Sequence, residues 1–362
     1  MGPEQIGFIL AAPSFMRIVF TPVVSIFADY VGNYRFILIF LAAGSLLCLI
    51  GLNFVSGFMA LLLVTAAYAI FGSSLLPVTE TMAMAALDDG KLNYGRARSW
   101  GSFSFIVASL GVGLLVDKQS GEVILPVLVA CGGGILLSAV MLPKPQGLGR
   151  LRRAVTAVKG EFKLSGVLSL LRHPVFWLFL VSSGLGQASH AFYYGFSTVH
   201  WKSLGFSGSL IGTLWAVGVI AEILLFLYLG DWLRRFNPAL LLLVGAGAAA
   251  LRWGVTAFDP ALWLLFPAQA LHGLSFGIVH LGAVYFIARA VPKQYGATAQ
   301  GLYATMAAGL FMGGAVLASG PLYEAIGAMG YLVMAGVAGL SVALGLVLFW
   351  YWGADCRKLA SE

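Results

Sequence analysis

Long apolar stretches alternate with short polar ones along almost the whole chain. Each stretch can cross about 30 Å of hydrocarbon as a helix, because an α-helix rises about 1.5 Å per residue. The pattern therefore predicts eleven membrane-spanning helices. Their predicted bounds are 5–28, 36–53, 58–86, 99–116, 122–142, 174–199, 207–229, 238–256, 260–290, 298–322 and 328–352.

The composition supports the same class of protein. Hydrophobic residues make up 60% of the 362 residues and charged residues only 10%, whereas a soluble domain is about half apolar and about a quarter charged. That much apolar surface does not fit into one water-soluble core. We predict an all-α polytopic membrane protein with the lipid bilayer as its surroundings.

The placement of basic residues predicts the orientation of the helices. Of the 21 Lys and Arg residues, 17 lie in one set of alternate loops and in the C-terminal tail, and two lie in the opposite loops. Cytoplasmic loops carry the excess of basic residues in membrane proteins. We therefore expect a cytoplasmic C-terminus and an outer N-terminus. The net charge of +7 is explained by these loops, and we expect no nucleic-acid partner.

The two halves of the chain resemble each other weakly. Four pairs of short segments recur in the same order with offsets near 204 residues, among them Gln5–Gly7 and Leu210–Gly212, which favours an internal duplication. Two bundles joined by a cytoplasmic linker are typical of secondary transporters. Six helices are expected in each half, so the first bundle, with five, is expected to lack its first helix. The predicted divisions are an N-terminal bundle over 1–142, a basic linker over 143–173, a six-helix bundle over 174–352 and a tail over 353–362.

Four charged residues lie inside predicted spans, namely Arg17, Glu80, Glu222 and Arg252. A charge at the centre of a membrane helix costs about 2.5–3.5 kcal/mol on insertion scales, so it is usually paired or functional. Arg17 and Glu222 differ by 205 positions, close to the repeat offset, and are expected at equivalent depths in opposite halves. The four charges mark either a transport pathway or structural ion pairs between helices.

Two predicted spans carry polar side chains at helical spacing. In the span 174–199 these residues are Ser183, Gln187, His190, Tyr194 and Ser197. In the span 260–290 they are Gln269, His272 and His280. Such spacing places side chains on one face of a helix, which predicts a polar cavity between the bundles. Two histidines near an intramembrane Glu favour proton handling, and helix–helix hydrogen bonds are the alternative.

A charged motif, Asp29-x-x-Gly32-x-x-Arg35, follows the first span on the predicted cytoplasmic side, and the second half has a reduced copy with Asp231 and Arg234. Gly permits the turn, and Asp and Arg can cap the helix ends. The motif resembles the cytoplasmic loop signature of the major facilitator superfamily. This resemblance implies a fold of two pseudo-symmetric bundles with a charged gate on the cytoplasmic side. Ordinary basic flanks of a span are the alternative.

A second resemblance covers nearly the whole chain. Pro77-x-x-Glu80 and the segment Tyr94–Gly101 closely resemble the region between the fourth and fifth helices of the lactose permease family. In that family the Glu and Arg that match Glu80 and Arg98 bind the substrate. Further matches to essential residues of the family are Glu222, Arg252 and His272.

The sequence also departs from that family. Ser275 replaces its proton-coupling Glu, Gln269 replaces a Lys, and Phe105 replaces the Trp that stacks on the sugar. These departures do not support a sugar substrate, and they require a different proton route. The overall pattern resembles the phenylpropionic acid permease branch more closely, notably in Pro3–Gly7 and Ala297–Gly301.

The resemblance implies a proton-coupled symporter that imports a small organic solute across a bacterial inner membrane by alternating access. An aromatic carboxylic acid such as phenylpropionate is the expected substrate, because guanidinium groups match carboxylates. The residues expected to bind the substrate are Glu80, Arg98, Phe105, Tyr194 and Arg252. The residues expected in proton coupling are Glu222, His272, His280 and Arg17.

No motif for catalysis or metal binding occurs in the chain: there is no H-E-x-x-H, no phosphate-binding Gly-rich loop with Lys and no zinc spacing. We therefore predict no enzymatic activity, no metal and no cofactor beyond the coupling proton, and we expect a monomer. The alternatives that stay open are a sugar or nucleoside symporter, a drug efflux pump, a non-transporting membrane receptor and a truncated inactive homologue.

Overall fold

Asparagine and proline residues mark the starts of two helices. Asn33 and Asn237 accept hydrogen bonds from the backbone N–H groups of Phe36 and Ala239 at 3.2 and 2.9 Å, which satisfies donors that a helix start leaves free. Pro238 directly follows Asn237 at the first helical position, where the missing N–H of proline costs nothing. Local sequence therefore determines where these helices begin.

The computed structural model describes residues 1–31, 33–79, 82, 94–142, 168, 170–291 and 295–352. Every regular element in these residues is helical, which confirms the predicted all-α fold. The α-helices are α1 Pro3–Val31, α2 Tyr34–Gly51, α3 Phe58–Gly72, α4 Tyr94–Gln119, α5 Ile124–Met141, α6 Pro174–Ala188, α7 Ala191–Ser203, α8 Gly208–Leu233, α9 Pro238–Thr256, α10 Leu262–Ala270, α11 Val279–Ala290, α12 Gly296–Ala304, α13 Met312–Ile326 and α14 Gly330–Trp352. The shorter segments are π-helical at Gly273–Ile278 and Thr305–Phe311, and 3-10 helical at Gly121–Val123 and Gly327–Met329.

The predicted spans coincide with helical segments, although several ends differ. Within the described ranges, eight helical stretches have the length and apolar composition needed to cross a membrane. Helix α4 begins at Tyr94, before the predicted start at residue 99, so the backbone of Arg98 is helical. Helix α3 ends at Gly72, and a turn at residues 73 and 74 interrupts the predicted span 58–86.

The chain divides into two compact units. One comprises residues 1–160 and 207–212, and the other comprises residues 161–206 and 213–362. Most of the predicted linker and the whole predicted tail lie outside the described residues, so the bounds of the four predicted divisions stay predictions.

The first unit has an aliphatic core. Helix α1 contacts α3, and α2 contacts both α3 and α5. Ile37, Leu41, Val78 and Ala139 are buried in this core. One face of α2 therefore packs inside the unit, whereas Phe36, Phe40 and Leu47 of the same helix are exposed.

Helix α9 contacts many elements of the second unit: α14, α11 and the π-helical segment Gly273–Ile278. Gly245 allows α9 to lie close to the start of α11, because a Cβ on Gly245 would lie 2.6 Å from Val279 Cγ2 and 3.0 Å from the backbone N of Val279. Phe179 and Phe286 stack with ring centroids 4.2 Å apart in an apolar core around the start of α6 and the end of α11. The apolar core therefore occupies one end of this unit, and polar side chains collect further along α9.

Helices α6 and α7 together form the predicted span 174–199, which is interrupted at Ser189 and His190. Ser189 Oγ donates to Gly186 O at 2.8 Å and accepts a hydrogen bond from Trp253 Nε1 at 3.2 Å. Because polar side chains satisfy groups that the interrupted helix leaves free, the break is stable inside the unit.

Candidate functional site

A fully buried arginine is the centre of the candidate site. Arg252 lies on α9, one turn before its end, and has no exposed surface. Its Nη1 donates to His272 Nδ1 at 3.0 Å and to Ser275 Oγ at 3.5 Å, and its Nη2 donates to Gln269 Oε1 at 2.8 Å. Three partners on the neighbouring helical segments therefore hold the guanidinium group in place.

Aromatic rings cover the faces of the same guanidinium group. The Arg252 Cζ atom lies 4.6 Å from the centroid of the Tyr193 ring and 4.3 Å from that of Trp253. A cation over an aromatic face is attracted by the ring's negative surface, and more strongly where water is excluded. Tyr193 covers the charge, and the ring of the predicted Tyr194 lies beside it, with ring centroids 5.6 Å apart.

The direct contacts leave part of the site unsatisfied. Among the described residues, Arg252 Nε and Gln269 Nε2 are buried and have no hydrogen-bond partner. None of the side chains that hydrogen-bond to the guanidinium group in the described ranges is a carboxylate. A buried charge is costly unless it is paired, so the group suits an anion supplied from outside the protein.

A carboxylate lies next to the arginine's histidine partner. Glu222 Oε2 is 3.6 Å from His272 Nε2, and the Glu222 side chain is 21% exposed. An arginine can only donate, so His272 Nδ1 accepts, and we assign the proton of a neutral ring to Nε2, which faces Glu222. Glu222, His272 and Arg252 thus form a continuous polar chain, which we call the Glu222 relay.

A second histidine extends the polar network beyond the relay. His190 Nε2 lies 3.1 Å from Ser275 Oγ, and its Nδ1 lies 3.2 Å from Gln187 O. His190 is fully buried at the break between α6 and α7. The sequence pattern found Gln187 and His190 as part of a polar stripe, but it did not indicate that Ser275 would link His190 to Arg252.

A stack of three rings explains the predicted common face of His272 and His280. The His272 and Phe276 rings are 5.1 Å apart and inclined by 15°, and the Phe276 and His280 rings are 6.3 Å apart and inclined by 4°. Phe276 lies in the π-helical segment. His272 is buried, whereas His280 is exposed.

A glycine allows the helix with Glu222 to approach the helix with His272. A Cβ on Gly273 would lie 2.8 Å from the Ala221 carbonyl oxygen and 3.2 Å from the Glu222 backbone N. Backbone atoms cannot rotate away as a flexible side chain can. The close approach therefore depends on glycine at this position.

Replacing Gly273 with alanine is expected to lower the free energy of unfolding by about 1–3 kcal/mol, the usual cost of overpacking. The control is Gly254→Ala on α9, where a Cβ meets nothing within 4 Å, and where alanine favours the helix. Thermal unfolding in detergent measures both variants. An equal unfolding temperature for Gly273→Ala and the native chain would contradict the close contact.

Of the other predicted residues, Tyr194 stacks on His190 with ring centroids 5.9 Å apart, and the rest belong to the first unit or lie outside the described residues. Tyr194 is 38% exposed on α7, Phe105 is 42% exposed on α4, and Arg17 is exposed on α1. Glu80 and Gly32 lie outside the described residues, as do the side chains of Asp29, Arg98 and Asp231. Their predicted roles stay predictions.

Two arginines near the predicted gate motifs, Arg35 and Arg289, contact helix ends within their own units. Arg35 donates to the carbonyl oxygen of Val140 near the end of α5. In the second unit Arg289, which sequence reasoning counted only as a loop charge, donates to Phe236 O at 3.0 Å and to the carbonyl oxygen of Arg234. These bonds satisfy carbonyl groups that helix ends leave free. The positive charge of each arginine also suits the negative end of the helix dipole.

Metal binding finds no support in the described part of the chain, where no group of three or more His, Cys, Asp or Glu side chains is arranged to hold an ion. The site instead offers one buried cation, one partly exposed carboxylate, neutral histidine and amide partners, and aromatic walls. Such an arrangement can bind an anion and exchange a proton.

Comparisons with known proteins agree with this picture. Residues 1–333 match the family model described as the MFS_1 like family. The chain is 32% identical over 348 residues to the probable 3-phenylpropionic acid transporter of Escherichia coli (strain K12), covering 93% of this chain and 86% of the relative. It is 28% identical over 325 residues to the maltose permease of Geobacillus stearothermophilus, covering 88% and 79%.

A solved structure shows the same fold. The nucleoside transporter NupG superposes with a TM-score of 0.80 at 19% identity, covering 97% of this chain and 91% of that structure. At that identity the likeness establishes the fold alone. Together, the family model, the relatives and the apolar helices show a multi-pass membrane transporter and not an enzyme, and the chain belongs to the MFS_1-like family of the major facilitator superfamily.

Proposed function

We propose that the protein is a proton-coupled symporter that imports a small aromatic carboxylic acid of the phenylpropionate class across the bacterial inner membrane. The observation that carries this proposal is the buried guanidinium group of Arg252, which has no carboxylate among its direct hydrogen-bond partners in the described ranges. The relative described as a 3-phenylpropionic acid transporter supports the choice of substrate.

The geometry around Arg252 suits a carboxylate attached to an aromatic ring. The two Nη atoms now donate to the neutral groups of His272 and Gln269, which two carboxylate oxygens can replace in a bidentate pair. Tyr193 and Trp253 supply flat apolar surfaces within 5 Å of the same charge. The site is closed in this conformation, so the substrate enters when the residues covering Arg252 move. Glu80, Arg98 and Phe105 stay proposed as further substrate-binding residues.

The charges of the Glu222 relay argue for one proton per substrate. With Glu222 deprotonated and Arg252 protonated, the empty relay carries no net charge. A bound carboxylate would add one negative charge, and a proton on Glu222 would cancel it. A net charge in a low-dielectric site is costly. The carrier is therefore expected to change the side to which it opens only when the site is empty or holds both substrate and proton.

This balance predicts which gradient drives uptake. An acid anion moves together with one proton, so the transfer is electroneutral and the membrane potential does no work on it. A pH difference of one unit supplies about 1.4 kcal/mol. That energy supports about tenfold accumulation at equilibrium.

Uptake of labelled 3-phenylpropionate into proteoliposomes tests the proposal. We expect faster initial uptake with an alkaline interior, and no effect of a potassium diffusion potential imposed with valinomycin. Protein-free liposomes are the control, because the neutral acid also crosses lipid unaided.

A panel of labelled maltose, xanthosine and 3-phenylpropionate separates the substrate classes. Uptake of the sugar or the nucleoside without the acid would overturn the assignment, as would acid uptake that the pH gradient does not change. Net accumulation of substrate inside everted vesicles with an acidic lumen would identify an efflux pump instead.

A further inference from the structure

A cavity of about 320 Å³ lies at one end of the second unit, and its lining begins one helical turn beyond Arg252 on α9. It lies where α7 and α9 end and α10 begins, on the side that the loop charges assign to the outside. Its volume is at the lower end of the range for small-molecule sites. The lining residues that matter here are Trp201, Phe206, Thr256, Asp259, Leu262 and Leu265.

The aromatic wall of the cavity is formed by the turn that ends α7. Gly205 has a φ of +81°, which glycine adopts without strain. The backbone N–H groups of Gly205 and Phe206 bond to Lys202 O and Trp201 O, each at 3.0 Å, in the pattern of a Schellman motif. The turn therefore brings Phe206 back towards Trp201, and both rings line one cavity.

The acidic wall is formed by the turn that ends α9, and its conformation is strained. Asp259 has a φ of +46° although it is not a glycine, and Pro260 follows it. Glycine would be the unstrained residue in such a helix-ending position. A strained residue persists only where the surroundings hold it, and strained positions cluster at binding sites. The turn therefore carries a carboxylate at a position where a glycine would suffice for the fold.

A single neighbour holds this carboxylate in the described part of the chain. His200 Nε2 lies 2.6 Å from Asp259 Oδ1, whereas the Asp259 side chain remains 41% exposed. His200 is only 10% exposed and packs edge-on against the ring of Tyr323. The pair leaves the second oxygen, Oδ2, available for a ligand in the cavity.

The negative charge of Asp259 favours a cationic ligand in this cavity. Among the described residues that line it, none is Lys or Arg, and Asp259 is the one charged side chain. Thr256 Oγ1 already donates its proton to Arg252 O at 2.8 Å. A sugar would leave most of its hydroxyl groups unpaired here, and a carboxylic acid anion would meet Asp259 with like charge.

We propose that this cavity binds a small amphipathic monoamine, with its ammonium group on Asp259 Oδ2 and its apolar body between Trp201, Phe206 and Leu262. An ammonium group satisfies the exposed carboxylate, and Trp201 and Phe206 line the cavity beside it. The remaining walls are apolar, as the hydrocarbon part of a phenylalkylamine requires. This site is distinct from Arg252, whose charge and partners suit an anion.

Binding of labelled 3-phenylpropylamine to the purified full-length chain in detergent tests the proposal. We expect saturable binding that unlabelled amine displaces and that 3-phenylpropan-1-ol and 3-phenylpropionate, which share the carbon skeleton, displace at least tenfold less well. Displacement by the acid at the same concentration as the amine would overturn the proposal.

Two variants locate the binding. Asp259→Asn is expected to raise the dissociation constant at least tenfold while keeping the backbone, because Asn also tolerates a left-handed conformation. Ala261→Phe, at the edge of the cavity, is expected to weaken binding similarly by filling the space. Glu122→Gln, which removes an exposed carboxylate from the first unit, is the control and is expected to bind like the native chain.

The variants also separate this site from transport. Uptake of 3-phenylpropionate is expected to persist in Asp259→Asn, since Asp259 does not contact the relay. Native amine affinity in both Asp259→Asn and Ala261→Phe would overturn the proposal, and so would an equal loss in Glu122→Gln. A monodisperse elution profile for each variant confirms that it is folded.

Discussion

Replacing Arg252 with lysine is expected to lower the initial rate of 3-phenylpropionate uptake about 100-fold. Lysine keeps the positive charge but loses the fork that matches two carboxylate oxygens. It also leaves His272 Nδ1 or Gln269 Oε1 without its present donor. Losing one or two hydrogen bonds to a charged group costs about 1.5–3 kcal/mol each, and about 2.7 kcal/mol corresponds to 100-fold.

The measurement is uptake into proteoliposomes at equal protein content, with an alkaline interior. Arg235→Lys is the matched control, because Arg235 is an exposed arginine that follows α8, and it is expected to transport at the native rate. An active Arg252→Lys variant within threefold of the native rate would show that the bidentate contact is not used. Gel filtration establishes that a loss of uptake is not a loss of folding.

Replacing Glu222 with glutamine is expected to abolish substrate accumulation driven by the pH gradient. Exchange of substrate inside the vesicles for substrate outside is expected to continue. Without the carboxylate, the empty relay carries the positive charge of Arg252, and a substrate anion neutralises it without a proton. The loaded carrier then crosses readily, whereas the empty carrier returns slowly because its charge is unpaired. Net uptake is expected to fall at least tenfold.

The Glu222→Gln variant is also expected to change which gradient drives uptake of the acid. Native uptake is expected to ignore a membrane potential, whereas the residual uptake of Glu222→Gln should respond to one, because the variant moves the anion alone. Counterflow of labelled against unlabelled acid measures exchange, and valinomycin sets the potential. Glu324→Gln, an exposed carboxylate near the end of α13 in the same unit, is the control. Unchanged accumulation in Glu222→Gln would place the coupling residue elsewhere.

Hydrophobic patterning predicted the helices well because each span must satisfy its own backbone in lipid. Starts marked by Asn237 and Pro174 agree with the structure. The break at Ser189 and His190 could not be predicted, because it depends on side chains that meet only after folding. Ser189 bonds to Trp253, and His190 lies beside Ser275, so distant contacts override local helix propensity.

The charged residues of the candidate site could be predicted from the sequence, whereas their contacts with neutral partners could not. Glu222 and Arg252 stood out because charges are rare at membrane depth, and the structure brings both to His272. Tyr193 was not distinguished from Tyr194, because the break before α7 changes the direction in which the side chains face. The direct contact of Gln269 with Arg252 also required the fold. Whether these residues bind and couple as proposed stays a prediction.

The π-helical segment Gly273–Ile278 has a consequence for comparing this chain with its relatives. A π-helical turn holds one residue more than an α-helical turn, so it behaves as a single inserted residue that the helix absorbs without a loop. Deleting one residue there would return the helix to α geometry while the residues after it keep the faces that they now occupy. His272 would stay beside Arg252, and His280 would stay on the same face as His272. Relatives with a one-residue gap in this segment are therefore expected to place the side chains on both sides of the gap in equivalent positions.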